Sequence, residues 1–161
     1  MEYTGWEVNG KSYKLRERVS IWKGKYYYAS KLFLDGDKAN IELITGITNL
    51  HTDTSYTLEN TDYKLLYTHD KQSENQDVLG MAVLVQNELF NGFGTTANTN
   101  TDVSHTYYAK MKVSDTINPE FYFIAGWEKS DSIFSSKKGF EDYIKAVSVE
   151  LSNPILVRKI K

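Results

Sequence analysis

Cysteine is absent from this sequence of 161 residues, and its absence excludes several kinds of chemistry. Disulfides, zinc–thiolate centres and thiol nucleophiles all require that residue. An excess of one charge is missing too, since 19 lysines and arginines are set against 21 aspartates and glutamates and no basic block stands out. We therefore expect no nucleic-acid partner.

Long hydrophobic runs are equally scarce. The longest apolar run falls far short of the roughly 18–20 residues that a membrane-spanning helix needs, so no membrane span is expected. Residues 1–6 lack the basic and then apolar pattern of a signal peptide. The chain is either cytosolic or a trimmed segment of a longer exported protein with a start methionine added. We favour the second interpretation, in which the parent protein is secreted or periplasmic.

Motifs of the common catalytic classes are also missing. Gly92 and Gly94 are followed neither by a helical pattern nor by the Lys-Ser/Thr pair of a phosphate loop. The sequence contains no serine elbow, no HExxH and no CxxC. Any chemistry must therefore come from histidine, carboxylate, tyrosine and lysine side chains.

What the sequence does contain is alternation of apolar and polar residues, which predicts β-strands through most of its length. Residues 77–85 are apolar on both faces and predict a central strand, whereas residues 91–100 are interpreted as a polar loop. Asn9-Gly10 predicts a two-residue hairpin turn. The predicted strands are residues 2–8, 12–22, 25–34, 40–48, 63–68, 77–85, 104–113, 120–128 and 155–160.

One segment has a helical period instead. Its apolar residues follow the spacing of one helix stripe, Ser135 or Ser136 can cap its start, and Asn153-Pro154 ends it. We therefore predict a mostly β fold, an antiparallel β-sandwich or curved sheet with one carboxy-terminal α-helix at about residues 136–152. By length, residues 1–161 are expected to form a single domain.

Two histidines are candidates for acid–base chemistry. His105 is predicted on the inward face of a strand, where an imidazole can act as general acid or base near neutral pH. The alternative is a hydrogen-bonded core histidine. His51 follows a strand into a polar loop with Asn49, where sites usually form, and the alternative is an exposed loop histidine. His69, beside Asp70, is interpreted as solvated.

Two carboxylates complete the predicted catalytic set. Glu17 lies on the apolar face of a predicted strand, where a desolvated carboxylate either pairs or raises its pKa. It is a candidate acid, or half of an internal pair with Lys31 or a tyrosine hydroxyl. Asp77 precedes the most buried strand and either caps a turn or faces a pocket.

Aromatic and amide side chains are candidates for substrate binding. Trp127 and Trp6 fit a stacking platform for sugar rings, although aromatic residues on strands belong more often to a core. Tyr107 shares the predicted face of His105. The predicted substrate-binding residues are Trp127, Tyr107, Asn49 and Asn98.

The same loop that holds Asn98 offers oxygens at Asn100 and Asp102, which suit a hard cation such as calcium. The spacing is loose and the acids are few, so a plain polar loop is the favoured interpretation. We expect no metal and no cofactor beyond this weak calcium candidate.

Several short segments stand out as a set: Asn49-Leu50-His51, residues 77–83, Asn98-Thr99-Asn100, residues 105–109, Gly126-Trp127-Glu128 and Phe140-x-x-Tyr143. Taken together, they resemble the domain-of-unknown-function family 4861. The resemblance runs over residues 6–154 and corresponds to the carboxy-terminal half of a typical longer member. It implies an exported protein of polysaccharide utilisation and a β-sandwich related to galactose-mutarotase-like proteins, in which sugars sit on a concave sheet face.

Two functions follow from these observations. The first is a carbohydrate-related protein that acts on oligosaccharides or acidic sugars by acid–base chemistry of histidine and carboxylate pairs. The alternative is a non-catalytic carbohydrate-binding sandwich module that uses surface aromatics. A carbohydrate is the expected partner in both, and an exposed sheet edge would be covered by a second copy of the chain in a homodimer.

Overall fold

The computed structural model describes residues 1–39, 41–97 and 104–155 and confirms the mostly β fold. In these residues, ten strands form two antiparallel sheets, followed by a 3₁₀ helix at Ser132–Ser135 and one α-helix. The elements are β1 (Glu2–Val8), β2 (Lys11–Ile21), β3 (Tyr27–Asp35), β4 (Glu42–Thr48), β5 (Tyr56–Glu59), β6 (Tyr63–Asp70), β7 (Leu79–Gln86), β8 (Phe90–Thr95), β9 (Thr106–Lys112), β10 (Glu120–Trp127) and α1 (Lys137–Ser152).

The two sheets differ in width. The large sheet has seven strands in the order β1-β2-β3-β10-β7-β6-β5, and the small sheet has three in the order β4-β9-β8. α1 and the 3₁₀ helix pack against one side of the large sheet, mainly on β6, β7 and β10. We call that side the outer face and the side toward the small sheet the inner face. The molecule is therefore built in three layers: helix, large sheet and small sheet.

Each pair of layers encloses its own core, as the alternation of side chains along a strand requires. On the outer face, Ala82 and Leu84 of β7 pack with the aromatic side chains of the helices. On the inner face, Val83 and Val85 pack with the small sheet. All four are fully buried. The prediction that this segment is a central strand, apolar on both sides, is therefore confirmed.

The predicted helix is confirmed at both ends. Ser136 is the N-cap, and its hydroxyl accepts a hydrogen bond from the backbone N–H of Gly139 at 3.1 Å. Asn153 is the C-cap. In the described ranges no helix combines the length and hydropathy that a bilayer crossing needs.

Two glycines let the helices approach the large sheet closely. Gly80 of β7 and Gly126 of β10 are register partners, so they lie side by side on the outer face. A Cβ atom at Gly80 would lie 2.5 Å from Cγ of Phe140, and one at Gly126 would lie 2.7 Å from Cδ1 of Phe134. Both rings are fully buried. The absence of a side chain at these two glycines thus leaves the space that the two phenylalanine rings occupy.

Two strands were missed in the sequence. Residues 91–100 were predicted to be a polar loop, but residues through Thr95 belong to β8. A Cβ atom at Gly94 would overlap the Tyr108 ring, so a glycine is required there. Gly92, with φ of 112°, lies at a register shift. The short strand β5 was also missed. The strand predicted at 155–160 lies outside the described residues except for Ile155, which is not in a strand.

The interpretation of His69 as solvated was wrong. His69 is half-buried in β6, and its Nε2 donates a hydrogen bond to the carbonyl oxygen of Phe134 at 2.8 Å. Its ring centroid lies 5.9 Å from that of Phe140. The side chain therefore attaches the 3₁₀ helix to the large sheet.

Buried tyrosines give the fold a predicted sensitivity to alkali. Burial raises the pKa of six tyrosine hydroxyls, and for Tyr67 a hydrogen bond to Glu141 adds to the effect. The six are Tyr27, Tyr28, Tyr63, Tyr67, Tyr122 and Tyr143. Above pH of about 10, an unfolded chain releases tyrosine protons that the folded chain retains. Stability is therefore expected to be unaffected by these groups below that pH and to fall as the pH rises further.

Tyrosinate absorbance and circular dichroism, followed together against pH, test this expectation. The six hydroxyls should ionise only at higher pH, together with loss of the β-sheet signal. Ionisation of all twelve tyrosines as one class near pH of about 10, with the fold intact, would contradict it.

Candidate functional site: an open sheet face and its cleft

Part of the inner face of the large sheet is not covered by the small sheet. Val19 and Ile21 of β2 lie on the inner face but are 40% and 77% exposed. Ala125 and Trp127 of β10 lie on that face as well and are also exposed. We call this region the open face; it consists of Val19, Ile21, Tyr28, Phe123, Ala125 and Trp127.

Aromatic rings form the middle of the open face. Tyr28 of β3 and Phe123 of β10 are register partners, and their rings are stacked with centroids 5.6 Å apart and planes at 26°. Both side chains are half-buried. Trp127, at the end of the same strand, is 39% exposed. The predicted stacking residue Trp127 therefore lies on the face that also carries this aromatic pair.

A carboxylate lies beside the aromatic pair. The Ser30 hydroxyl, which is fully buried, donates a hydrogen bond to Oε1 of Glu17 at 2.5 Å. Burial, and secondarily the carboxylate of Glu17, raise the pKa of the Tyr28 hydroxyl. The pairing of Glu17 with Lys31 that the sequence suggested is wrong, because Lys31 is the register partner of Arg18 on the outer face.

Glu17 also lines a cleft that adjoins the open face. The cleft has a volume of about 300 Å³ and lies between β4 and the inner face of β1, β2 and β3. Trp6, 39% exposed, forms part of its wall. Its lining is mainly apolar, with Leu15, Leu32 and Phe121 beside the carboxylates of Glu17 and Glu42. A groove of this kind can hold a ligand that has both an apolar face and hydrogen-bonding edges.

The predicted histidines lie elsewhere, at one end of the small sheet. The carbonyl oxygen of His105 accepts a hydrogen bond from the backbone N–H of Asn49 at 2.7 Å, so the two loops run side by side. His105 precedes β9 with φ of 52°, which interrupts the predicted alternation, and its side chain is half-buried. His51 is exposed in the loop after β4.

Tyr107 and Asn49 hold this end of the small sheet together. Tyr107 is buried, and its hydroxyl donates to the carbonyl oxygen of Thr52 at 3.3 Å. Oδ1 of Asn49 is buried and has no hydrogen-bond partner among the described residues. The hydrogen bond of Tyr107 therefore fixes the path of the loop after β4.

Asp77 lies in a third place, at the turn that leads into β7. Its backbone N–H donates to the Ser73 hydroxyl at 2.8 Å, and its carboxylate is 3.7 Å from Nζ of Lys129. Lys129 follows the end of β10, so Asp77 and Trp127 lie at the same end of the large sheet. Between Asp77, Glu17, His51 and His105, no hydrogen bond or ion pair is found in the described part of the chain.

The calcium candidates Asn98, Asn100 and Asp102 lie outside the described residues. Across the described ranges, no three histidine, aspartate or glutamate side chains are close enough together to hold a metal ion.

Sequence reasoning missed the aromatic pair and the serine. Alternation placed Phe123 and Trp127 on one face of a strand and Tyr28 on one face of another, which was the available signal. Their meeting depends on the register between β3 and β10, strands far apart in the sequence.

The fold and the open face define a class of protein: an antiparallel two-sheet sandwich, backed by one helix, whose larger sheet extends beyond the smaller one. A family model described as domain of unknown function (DUF4861) matches residues 1–157. The chain belongs to that family. No curated protein and no solved structure matches the chain.

Proposed function

We propose that this protein binds carbohydrate on the open face and in the adjoining cleft. The observation that carries the proposal is the stacked pair of Tyr28 and Phe123 beside the carboxylate of Glu17, with the exposed Trp127 farther along the same uncovered sheet surface. A family resemblance to carbohydrate proteins in which sugars lie on a sheet face supports it.

The physical basis is the two-sided chemistry of a sugar ring. Its C–H faces are apolar and pack on aromatic rings, whereas its hydroxyl edge donates hydrogen bonds to acceptors. A hydrogen bond to an ionised acceptor is roughly twice as strong as one between neutral groups. The buried Ser30 fixes Oε1 of Glu17 from below. The other lone pairs of that carboxylate can therefore accept from a ligand.

Binding is favoured over acid–base catalysis by the positions of the titratable groups. A general acid–base pair must reach the same bond within hydrogen-bonding distance, directly or through one water. Glu17, Asp77 and the two histidines lie in three separate parts of the described fold. The non-catalytic carbohydrate-binding module is therefore the function that we propose first.

Isothermal titration calorimetry with a panel of neutral and acidic oligosaccharides tests this proposal. Trp127→Ala is expected to weaken binding about tenfold or more, because a few large aromatic side chains dominate such contacts. Glu17→Gln should weaken it as well. Trp22→Ala is the matched control: Trp22 is 44% exposed, but its ring lies against Tyr27 on the outer side of the sheet.

Equal losses for Trp127→Ala and Trp22→Ala, or no binding by the unmodified protein, would contradict the proposal. Product release from any member of the panel, measured in parallel, would instead favour acid–base chemistry. His51→Ala and His105→Ala would then identify the groups responsible.

Two further sequence-based predictions remain part of this proposal. Export of the parent protein follows from the resemblance. A homodimer would form through an exposed edge of the large sheet, where β1 pairs only with β2 in the described residues.

A further inference from the structure

The outer face of β2 and β3 carries a cluster of cations away from the open face. The cluster consists of Arg16, Phe33, Arg18 and Lys31, whose side chains point to the outer side. Arg16 is the register partner of Phe33 and Arg18 that of Lys31, so each pair lies on the same side of the sheet. We call these four residues the arginine patch. Both arginines are exposed, and Phe33 and Lys31 are half-buried. α1 does not cover them, since it packs on β6 and β7.

Both guanidinium groups lie over the same aromatic ring. Cζ of Arg16 is 5.3 Å and Cζ of Arg18 is 5.5 Å from the centroid of Phe33. A guanidinium held against a ring keeps the N–H groups of its edge available and loses less side-chain entropy when it binds an anion. The ring therefore holds both guanidinium groups in positions from which their N–H groups can bind an anion.

The cations of the arginine patch have no carboxylate partner among the described residues. The nearest acids on this face are Glu2, Asp35 and Glu120, which are the register partners of Arg16, Lys14 and Lys31. Glu2 forms its ion pair with Lys14, at 2.7 Å. No ion pair joins Glu120 or Asp35 to any cation in the described ranges. Arg16, Arg18 and Lys31 thus form no ion pair in the described ranges; the pKa of the Glu2 carboxyl is lowered first by Lys14, and the charge of Arg16 is a smaller influence on it.

We propose that the arginine patch binds the carboxylate or sulfate groups of an acidic saccharide chain. Arg16 and Arg18 are two residues apart on one strand, which spaces them by roughly 7 Å. Guanidinium forks bind planar carboxylates and sulfate-like anions through paired hydrogen bonds. Lys31, opposite Arg18, supplies a third charge for the next anionic group. The chain would lie along β2.

Other polyanions fit this surface less well. Anionic membranes are recognised by clusters of 4–8 basic residues, and three unpaired cations fall short of that number. Single-stranded nucleic acid requires exposed aromatic rings for base stacking, whereas the ring of Phe33 lies beneath two guanidiniums. The choice of a saccharide as the polymer rests on the proposed function, but the anion site does not.

Binding of dextran sulfate and of uncharged dextran, which share one backbone, tests this inference, with polygalacturonate as the carboxylate probe. We expect the two anionic chains to bind, dextran to bind far more weakly, and added salt to weaken the interaction. Arg16→Gln/Arg18→Gln should lower the affinity about tenfold or more. Arg16→Lys/Arg18→Lys keeps the charge but loses the paired N–H groups of the guanidinium. Its affinity should lie between those of the unmodified protein and the glutamine variant.

The matched control is Lys71→Gln/Lys112→Gln, which removes the same charge from two exposed residues outside the patch. Equal losses in the two double variants, or no binding of either anionic chain, would overturn the inference. So would equally tight binding of a single-stranded DNA oligomer, polyaspartate or phosphatidylserine vesicles. Arg16→Gln/Arg18→Gln should leave the binding of neutral oligosaccharides at the open face unchanged, so failure at the open face and failure at the arginine patch are distinguishable.

Discussion

Replacement of Phe140 by alanine is expected to lower the free energy of unfolding by about 3–5 kcal/mol. The ring is fully buried and touches three different parts of the outer layer. It packs on the site of Gly80, lies 6.0 Å from the Phe134 ring and 5.9 Å from the His69 ring, measured between centroids. Its removal leaves a cavity that the surrounding sheet cannot close, because β7 is held on both sides by neighbouring strands.

Chemical denaturation measures this loss as a lower midpoint with an unchanged slope. Val149→Ala is the control on the same helix, since Val149 is 57% exposed and its truncation should change stability by less than about 0.5 kcal/mol. A loss of that small size for Phe140→Ala as well would show that α1 is not packed on the sheet as described.

The second large effect is expected at the glycine beneath that ring. Gly80→Ala should cost about 1–3 kcal/mol, because the new methyl group would overlap the Phe140 ring in a core that has no space for it. The added Cβ would be only 2.5 Å from Cγ of the ring. The backbone itself is no obstacle, since Gly80 does not have a positive φ.

A double-mutant cycle separates this overlap from a general effect of alanine in a strand. The three atoms nearest to the added Cβ all belong to the Phe140 ring, so Gly80→Ala should cost less in a Phe140→Ala background. We expect a coupling of about 1 kcal/mol or more between the two sites. Additive losses would mean that the cost at Gly80 has another origin.

Much of the fold was predictable because alternation is a local property. The hairpin at Asn9-Gly10 illustrates this, since both residues have the positive φ, 51° and 72°, that such a turn requires. The start of α1 was also local, because a serine cap acts within four residues.

β8 was not predictable in the same way. Its glycines are typical of a loop, and the reason for Gly94 is the Tyr108 ring on a neighbouring strand. A side chain that fills the space of a missing Cβ leaves no mark in the local sequence. For the same reason, the local sequence does not predict the glycines against which Phe134 and Phe140 pack.

The candidate site was predictable only in its separate parts. Glu17 was singled out as an acid on an apolar face, and Trp127 as an aromatic residue suited to stacking. That both lie on uncovered surface depends on how far the small sheet extends, and this is a property of the assembled layers. The partner of Glu17 proved to be Ser30, which cannot be derived from the pattern of a single strand.

Because the two sheets differ in width, the buried core and the uncovered surface lie in different parts of the molecule. Most of the stabilising burial lies where three layers overlap, around β6, β7 and β9. The exposed Val19 and Ile21 near the end of β2, which the small sheet does not cover, contribute little to it. Substitutions at such uncovered positions can therefore accumulate at small thermodynamic cost while the scaffold stays the same.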